Sequence, residues 1–85
     1  MRYKLLSTKS FEKGFRKLSL DVRRKVDWKI RQLEGNPHLG RPLHGDLKGR
    51  CSLRIGDYRV IYMVNEEARV LDLIAAGHRK NVYKP

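Results

Sequence analysis

The segment CSLRIGDYRVIYMV, residues 51–64, holds two runs of β-branched, aromatic and aliphatic side chains on either side of Gly56-Asp57. Runs of this composition are typical of β-strands, and a two-residue connection that contains glycine is typical of a hairpin. We assign the first strand to residues 50–55 and the second to residues 57–64. The middle of the chain is therefore predicted to form two antiparallel strands.

The N-terminal half predicts one more strand and two helices. Residues 2–6, RYKLL, indicate a short strand. Apolar residues then recur twice at helical spacing, after Ser7 or Thr8 and again after Ser19, and these hydroxyl residues are common helix caps. The two helices are separated by a very short connection, so we expect them to form an antiparallel hairpin.

The rest of the chain divides into a loop, a third strand and a tail. Residues 35–49 contain four glycines and two prolines, which predicts a loop, held on the core by its leucines. Residues 68–76, ARVLDLIAA, predict a third strand, and the polar segment from residue 77 onward is expected to leave the sheet. The expected fold class is α+β in two layers. It has an N-terminal strand, an antiparallel two-helix hairpin and a three-stranded antiparallel meander, within one domain over residues 1–85.

The alternation of side chains predicts one charged face of this sheet. Successive residues of a strand point to opposite faces of the sheet. Ser52 and Arg54 therefore project to one side of the first strand, and Arg59 and Ile61 project to one side of the second. Because burial of an unpaired charge is costly, the arginines should lie on the face away from the helices. We therefore expect Arg54 and Arg59 together on an open face, with Arg79 within reach.

The chain is strongly basic. Twenty Lys and Arg residues against nine Asp and Glu give a net charge of +11. A small domain with this balance is expected to meet nucleic acid, an anionic membrane surface or an acidic protein. Cys51 is the only cysteine, and no apolar run is long enough for a membrane span. We expect a cytoplasmic protein with no secretory or membrane segment.

The spacing of potential ligands does not indicate a metal or cofactor site. His38, His44 and Cys51 lack the spacing of zinc ligands, and the glycine-rich phosphate-binding motifs are missing. We therefore expect neither a metal nor a cofactor. Cys51 is predicted to point inward, where packing explains it better than nucleophilic catalysis.

The remaining candidates for a functional site are a group of arginines with one histidine and one tyrosine. Guanidinium groups bind phosphate through paired hydrogen bonds and stabilise the extra charge of a phosphoryl transition state. His78 is suited to proton transfer near neutral pH, and Tyr83 can stack on a base or donate a proton. This group suits metal-free cleavage of RNA through the ribose 2′-hydroxyl. The alternative is that the arginines only pair with nearby aspartates or backbone carbonyls.

The chain contains LHGDLKG at residues 43–49, LRIGDYRVIY at residues 53–62, GHR at residues 77–79 and the pair Val82-Tyr83. These segments are similar to the RelE/ParE superfamily of toxin–antitoxin toxins, and the likeness extends over nearly the whole chain. Resemblance to the RelE branch implies a ribosome-dependent endoribonuclease that cuts mRNA in the A site without a metal. The 2′-hydroxyl would attack the adjacent phosphate and leave a 2′,3′-cyclic end.

The resemblance implies a role for each member of this group. Arg59 and Arg79 correspond to phosphate-stabilising arginines, and Arg54 to a basic residue that faces the phosphate. Tyr83 corresponds to the tail tyrosine that stacks on or orients the mRNA base. His78 precedes Arg79 at a position where relatives carry lysine or histidine, so it is the candidate proton carrier.

One position departs from the pattern, and two other functions stay open. Ser52 stands where some RelE toxins carry a lysine that serves in proton transfer, and serine cannot replace that charge. The ParE branch shares the fold but inhibits DNA gyrase, and a non-catalytic RNA-binding module is the third possibility. The combination of Arg59, Arg79 and Tyr83 favours the nuclease.

The helices supply candidate contacts for two macromolecular partners. The resemblance implies binding to the ribosome and mRNA, and positioning contacts with RNA phosphates are expected from Lys9, Lys13, Arg16, Lys17, Arg23, Arg24 and Lys25. It also implies a cognate acidic antitoxin that wraps and neutralises the toxin. Trp28 lies opposite the apolar stripe of its helix, which makes it a candidate contact for this partner. The alternative is that Trp28 stacks on arginine stems of its own helix.

Overall fold

A computed structural model of the chain describes residues 2–82, so Tyr83 lies outside the described residues. The described elements, in chain order, are β1 (Lys4–Ser7), α1 (Lys9–Arg16), α2 (Leu20–Leu33), β2 (Arg41–Pro42), a 3-10 turn (Gly45–Leu47), β3 (Cys51–Ile55), β4 (Tyr58–Asn65) and β5 (Val70–His78). The strands form one sheet in the order β1-β5-β4-β3-β2. β1 is parallel to β5, and the other neighbours are antiparallel. The predicted α+β class is confirmed.

Both helices begin at the residues that the sequence offers as caps. The Thr8 hydroxyl accepts the Phe11 N–H at 3.1 Å, and the Ser19 hydroxyl accepts the Val22 N–H at 3.3 Å. Each bond satisfies a backbone donor that has no partner within the helix. α1 then packs against β5 and α2 against β3, so the helices cover one face of the sheet. No helix within residues 2–82 combines the length and the apolar character needed to cross a bilayer.

The sheet is larger than the sequence predicts. The loop 35–49 contributes the two-residue strand β2, in which Arg41 pairs with Ser52 and Pro42 with Cys51. β5 also continues to His78, because Gly77 and His78 pair with the first residues of β4. The predicted end of this strand at residue 76 is therefore wrong, since tertiary pairing extends it beyond its apolar part.

The core lies between the helices and the sheet. α2 contributes Val26, Ile30 and Leu33, and the sheet contributes fully buried residues such as Val60 and Leu71. This agreement with the predicted apolar stripe explains why the helix is stable against the sheet although its outer face is charged.

One buried tyrosine anchors the loop before β2. The Tyr62 hydroxyl accepts the Gly40 N–H at 2.9 Å and donates to the Pro37 carbonyl at 2.8 Å. Burial raises the pKa of Tyr62 to about 12. Leu39, which we expected to anchor this loop, is 42% exposed, so that prediction is wrong. Leu43 and Leu47, the other two leucines expected to anchor the loop, are half-buried. Near Leu39 the loop is held through its backbone groups, which an apolar pattern cannot reveal.

The face away from the helices is only partly open. Ile61 lies on it between its partners Ser52 and Ala75, and only 3% of Ile61 is accessible. The expectation of an entirely open face is therefore corrected for the middle of the sheet. Toward the β3–β4 turn the side chains of this face become more accessible, as Arg54 is exposed and Arg59 is half-buried.

Candidate nucleic-acid interface

Two arginines face each other across the β3–β4 hairpin. Arg54 and Arg59 are direct partners in the antiparallel register. Side chains of directly opposite residues project from the same face, with β-carbons about 4.5–5.5 Å apart. The prediction that these two arginines lie together is confirmed.

The two guanidinium groups differ in what holds them. Arg59 donates from Nη1 to the carbonyls of Gly56 and Tyr58, both at 2.8 Å. Its Nε and Nη2 donors have no hydrogen-bond partner among the described residues. Arg54 is exposed and forms neither a hydrogen bond nor an ion pair within residues 2–82. The alternative that the arginines only pair with groups of the protein itself thus holds in part for Arg59 and not for Arg54. Both side chains keep hydrogen-bond donors that a ligand can use.

These arginines line a cleft of about 490 Å³. Two further cations line it, Lys29 from α2 and Arg41 from β2, and the remaining described lining residues are Leu39, Leu43, Ser52 and Leu53. The described lining thus holds four cations and no carboxylate. Such a concentration of positive charge in a concavity attracts a polyanion.

Our sequence analysis did not place Lys29 or Arg41 beside Arg54 and Arg59. Arg41 lies in a segment whose composition predicts a loop, and only its pairing with Ser52 places it on the arginine face. Lys29 lies on α2, beside the core positions Val26 and Ile30, where a lysine has no distinctive local signal.

Arg79 lies at the turn that joins the two arginine-bearing strands. Its N–H donates to the Asp57 carbonyl at 2.8 Å, and its Nε lies 4.0 Å from Asp57 Oδ1. Both side chains are more than half exposed, so this ion pair is weak. The backbone bond holds Arg79 beside this turn, and its exposed side chain stays available to a ligand. Arg79 is not among the described residues that line the cleft of Arg54 and Arg59.

His78 lies on the other face of the sheet. It is the partner of Tyr58, next to Arg59 in sequence, so alternation separates it from the arginines. The rings of Tyr58 and His78 meet edge to face, with 5.6 Å between their centroids. His78 Nδ1 accepts the Lys80 N–H at 3.2 Å. The expectation that His78 joins the arginines is corrected. Our prediction for Tyr83 cannot be placed, because that residue lies outside the described range.

His78 instead lines a second cleft, of about 730 Å³, between α1 and the end of β5. Lys13 and Lys17 of α1 also line it, on the helical side of the sheet. α1 lies very close to β5 at Gly14, which also lines this cleft, because a β-carbon at that position would overlap the Ala76 carbonyl oxygen. This cleft is lined mainly by α1 and β5, whereas the described residues that line the arginine cleft belong to α2, β3, β4 and the segment around β2.

The other predicted RNA contacts are spread over the helical layer. Lys9, Arg16, Arg24 and Lys25 are exposed, and Lys25 forms an ion pair with Asp21 at 3.4 Å. Arg23 is half-buried, and its Nε is buried without a hydrogen-bond partner. None of these residues lines the cleft that holds Arg54 and Arg59.

Trp28 is 65% exposed, more than any other large apolar residue described in residues 2–82. It borders a shallow surface with Arg2 and Arg31. The guanidinium that lies over an aromatic ring in the described part of the chain is that of Arg69, over Tyr3. No guanidinium of residues 2–82 is therefore seen over the Trp28 ring.

Cys51 faces the core side of the sheet near Tyr62. Burial raises the pKa of the Cys51 thiol, and the Tyr62 hydroxyl lowers it to a smaller extent. A thiol with a raised pKa is a weak nucleophile at neutral pH. This environment supports the prediction that Cys51 serves packing.

The fold and the cleft define a small basic α+β protein with a positively charged cleft, and comparison with known sequences shows its family. A family model described as the ParE-like toxin of type II bacterial toxin-antitoxin systems matches residues 5–85. The chain therefore belongs to this family. It is 38% identical over 60 residues to Toxin RelE of Mycobacterium tuberculosis, a match that covers 69% of this chain and 62% of that protein. The chain thus spans about three fifths of the length of this relative.

Solved structures have the same architecture. The toxin–antitoxin complex RelBE2 from Mycobacterium tuberculosis contains a chain that superposes with a TM-score of 0.85 at 26% identity, covering 93% of this chain and all (100%) of that one. The archaeal RelE–RelB complex from Pyrococcus horikoshii gives a TM-score of 0.76 at 27% identity, covering 96% and 100%. The fold of this chain is therefore that of RelE toxins.

Proposed function

We propose that this chain is the toxin of a type II toxin–antitoxin pair and acts in the cytoplasm as a ribosome-dependent mRNA endoribonuclease. The observation that carries the proposal is the pair Arg54 and Arg59, side by side in a cleft without a described carboxylate, with Arg79 at the same turn. The similarity to proteins named RelE toxins supports the same activity.

The reaction is an internal transfer within the RNA. The 2′-oxygen of a ribose loses its proton and forms a bond to the adjacent phosphorus, and the bond from phosphorus to the 5′-oxygen of the next nucleotide breaks. That oxygen takes up a proton. The products are a 2′,3′-cyclic phosphate and a 5′-hydroxyl end, and no oxidant or reductant is required.

The arginines stabilise the negative charge that this reaction places on the phosphate. Arg54, Arg59 and Arg79 bind the phosphate and stabilise the additional negative charge of the transition state. They cannot accept the proton of the 2′-hydroxyl, because arginine stays protonated. With His78 on the other face, we assign proton transfer to water or to a group of the ribosome. The ribosome also positions the mRNA, and orientation alone can supply a large part of a rate enhancement.

The helical cations provide positioning contacts with ribosomal RNA in this proposal. The basic residues of α1 and of the first half of α2 do not line the arginine cleft, so they can contact phosphates while the cleft holds mRNA. The residues concerned are Lys9, Lys13, Arg16, Lys17, Arg23, Arg24 and Lys25.

The partner that neutralises this toxin is an acidic antitoxin. Structures similar to this chain are complexes of RelE-type toxins with their antitoxins. A net charge of +11 favours an acidic chain, and association with it lowers the self-repulsion of the toxin. We assign Trp28 to this interface, because exposed tryptophans are frequent energetic centres of protein interfaces.

Growth inhibition tests the proposal. Expression of the wild-type chain should arrest growth, whereas Arg79→Ala should abolish the arrest while the protein stays folded. Lys80→Ala is the matched control, since it removes one charge from the next residue of the same exposed turn. A fully toxic Arg79→Ala protein would contradict the proposal. Trapped gyrase–DNA complexes in the arrested cells would instead assign the chain to gyrase inhibition.

A further inference from the structure

The neighbouring strand β2 brings one more guanidinium to the arginine cleft. Arg41 is the direct partner of Ser52 in the antiparallel β2–β3 pair. Opposite residues share a face, and diagonal neighbours on that face are about 7–8 Å apart, within reach of long side chains. Arg41 therefore lies on the face of Arg54, and it lines the same cleft.

The backbone around Arg41 is fixed on both sides. The preceding Gly40 donates its N–H to the Tyr62 hydroxyl at 2.9 Å, and the following Leu43 N–H donates to the Arg50 carbonyl at 2.9 Å. Pro42 restricts Arg41 to extended conformations. Arg41 thus projects from a restrained segment, although the composition of that segment predicts a loop.

The Arg41 side chain is available to a ligand. It is exposed, and within residues 2–82 it forms neither a hydrogen bond nor an ion pair. A guanidinium held among three other cations, with no carboxylate among the described lining residues, costs electrostatic free energy in the free protein. A phosphate would remove that cost and accept hydrogen bonds from the guanidinium.

We propose that Arg41 is a phosphate-binding residue of this cleft, contacting the RNA phosphate that lies over Ser52. The inference rests on the proposed function and adds a fourth arginine, supplied by β2, to Arg54, Arg59 and Arg79. Its contribution is positive charge and paired hydrogen-bond donors. It does not transfer a proton, since arginine stays protonated.

Substitutions at positions 41 and 52 separate this role from a structural one. Arg41→Met keeps the apolar stem and removes the charge, so cleavage of translated mRNA should fall about 10- to 100-fold, the value of a hydrogen bond to a charged group. Arg41→Lys should retain most of the rate. In the Arg41→Met background, Ser52→Lys should restore the salt slope of RNA binding, because a lysine there places a cation on the same face from the neighbouring strand. Binding and not cleavage is the readout for this variant, since a lysine at position 52 can also transfer a proton. Lys48→Ala is the control, since Lys48 is exposed in the same segment but does not line the cleft.

Two readouts distinguish the possible failures. Cleavage ends and their rate are measured in a purified translation system, and binding of a short single-stranded RNA is measured against salt concentration. Arg41→Met should reduce the salt slope by about 1, as expected for the loss of one phosphate contact.

Wild-type activity in Arg41→Met, or an equal loss in Lys48→Ala, would overturn the role of Arg41. A loss of salt slope in Arg41→Met that Ser52→Lys leaves unrestored would overturn the proposed contact over Ser52. A wild-type protein that does not cleave at all would overturn the proposed function itself.

Discussion

Arg54 and Arg59 are direct cross-strand partners, although both are positively charged. Like charges in opposite positions destabilise a sheet. The Asp57 carboxylate at the adjoining turn approaches Arg79 and not either of these two. The hairpin therefore retains an arrangement that costs stability in the free protein, which is expected of a site that binds an anion.

Replacement of one arginine of this pair should increase stability and reduce activity. Arg54→Thr removes the repulsion and introduces a residue suited to strands, so the free energy of unfolding should rise by about 0.2–1 kcal/mol. Cleavage of mRNA should fall at the same time. Urea unfolding and a cleavage assay on the same sample test both effects, with Arg54→Lys as the charge-preserving control. A variant that is less stable than wild type would show that Arg54 is structural.

His78 should be dispensable for cleavage. A general acid or base contributes about 10²- to 10⁴-fold to a rate, and His78 lies on the face opposite Arg59. His78→Gln should therefore leave the cleavage rate and its pH dependence nearly unchanged, whereas Arg59→Ala should abolish cleavage. A hundredfold loss in His78→Gln would show that the histidine reaches the reacting phosphate.

Gly14 should be required for the contact between α1 and β5. Helix propensity alone predicts that Gly14→Ala stabilises the chain by about 1 kcal/mol. A β-carbon at this position would overlap the Ala76 carbonyl oxygen, so we expect a loss of about 1–3 kcal/mol from overpacking. Gly35→Ala is the matched control, because the nearest atom to a β-carbon there is 4.0 Å away. Urea unfolding of both variants decides between the two effects.

Tyr62 should make the protein sensitive to alkaline pH. Burial raises its pKa to about 12, from an ordinary value of about 10. The neutral phenol is thus favoured in the folded state, so its contribution is complete below about pH 10 and is lost as the pH rises toward about 12. Tyr62→Phe should cost about 1–3 kcal/mol at pH 8 through its lost hydrogen bonds. It should then lose less additional stability between pH 8 and pH 11 than wild type, and an equal loss would contradict the assignment.

Trp28 should contribute to antitoxin binding and not to folding. It is 65% exposed, so Trp28→Ala should change the free energy of unfolding by less than about 0.5 kcal/mol. Affinity for the acidic antitoxin should fall by about 2 kcal/mol or more. Calorimetric titration tests this, with Leu20→Ala, another exposed apolar residue of α2, as the control. Unchanged affinity in Trp28→Ala would place the interface elsewhere.

Local pattern explains much of the fold and part of the site. The caps Thr8 and Ser19 and the face shared by Arg54 and Arg59 follow from hydrogen-bonding capacity and from the period of two in strands. β2 does not follow, because a two-residue strand next to a proline exists only through its pairing with β3. Arg41 was missed for the same reason. His78 was misplaced because the extension of β5 fixes its face.

Primer extension on an mRNA translated in a purified system, with and without this protein, tests the central claim most directly. The account predicts new ends inside codons, absent without ribosomes and absent with Arg59→Ala. New ends that persist in Arg59→Ala, or no new ends with folded wild-type protein, would contradict it.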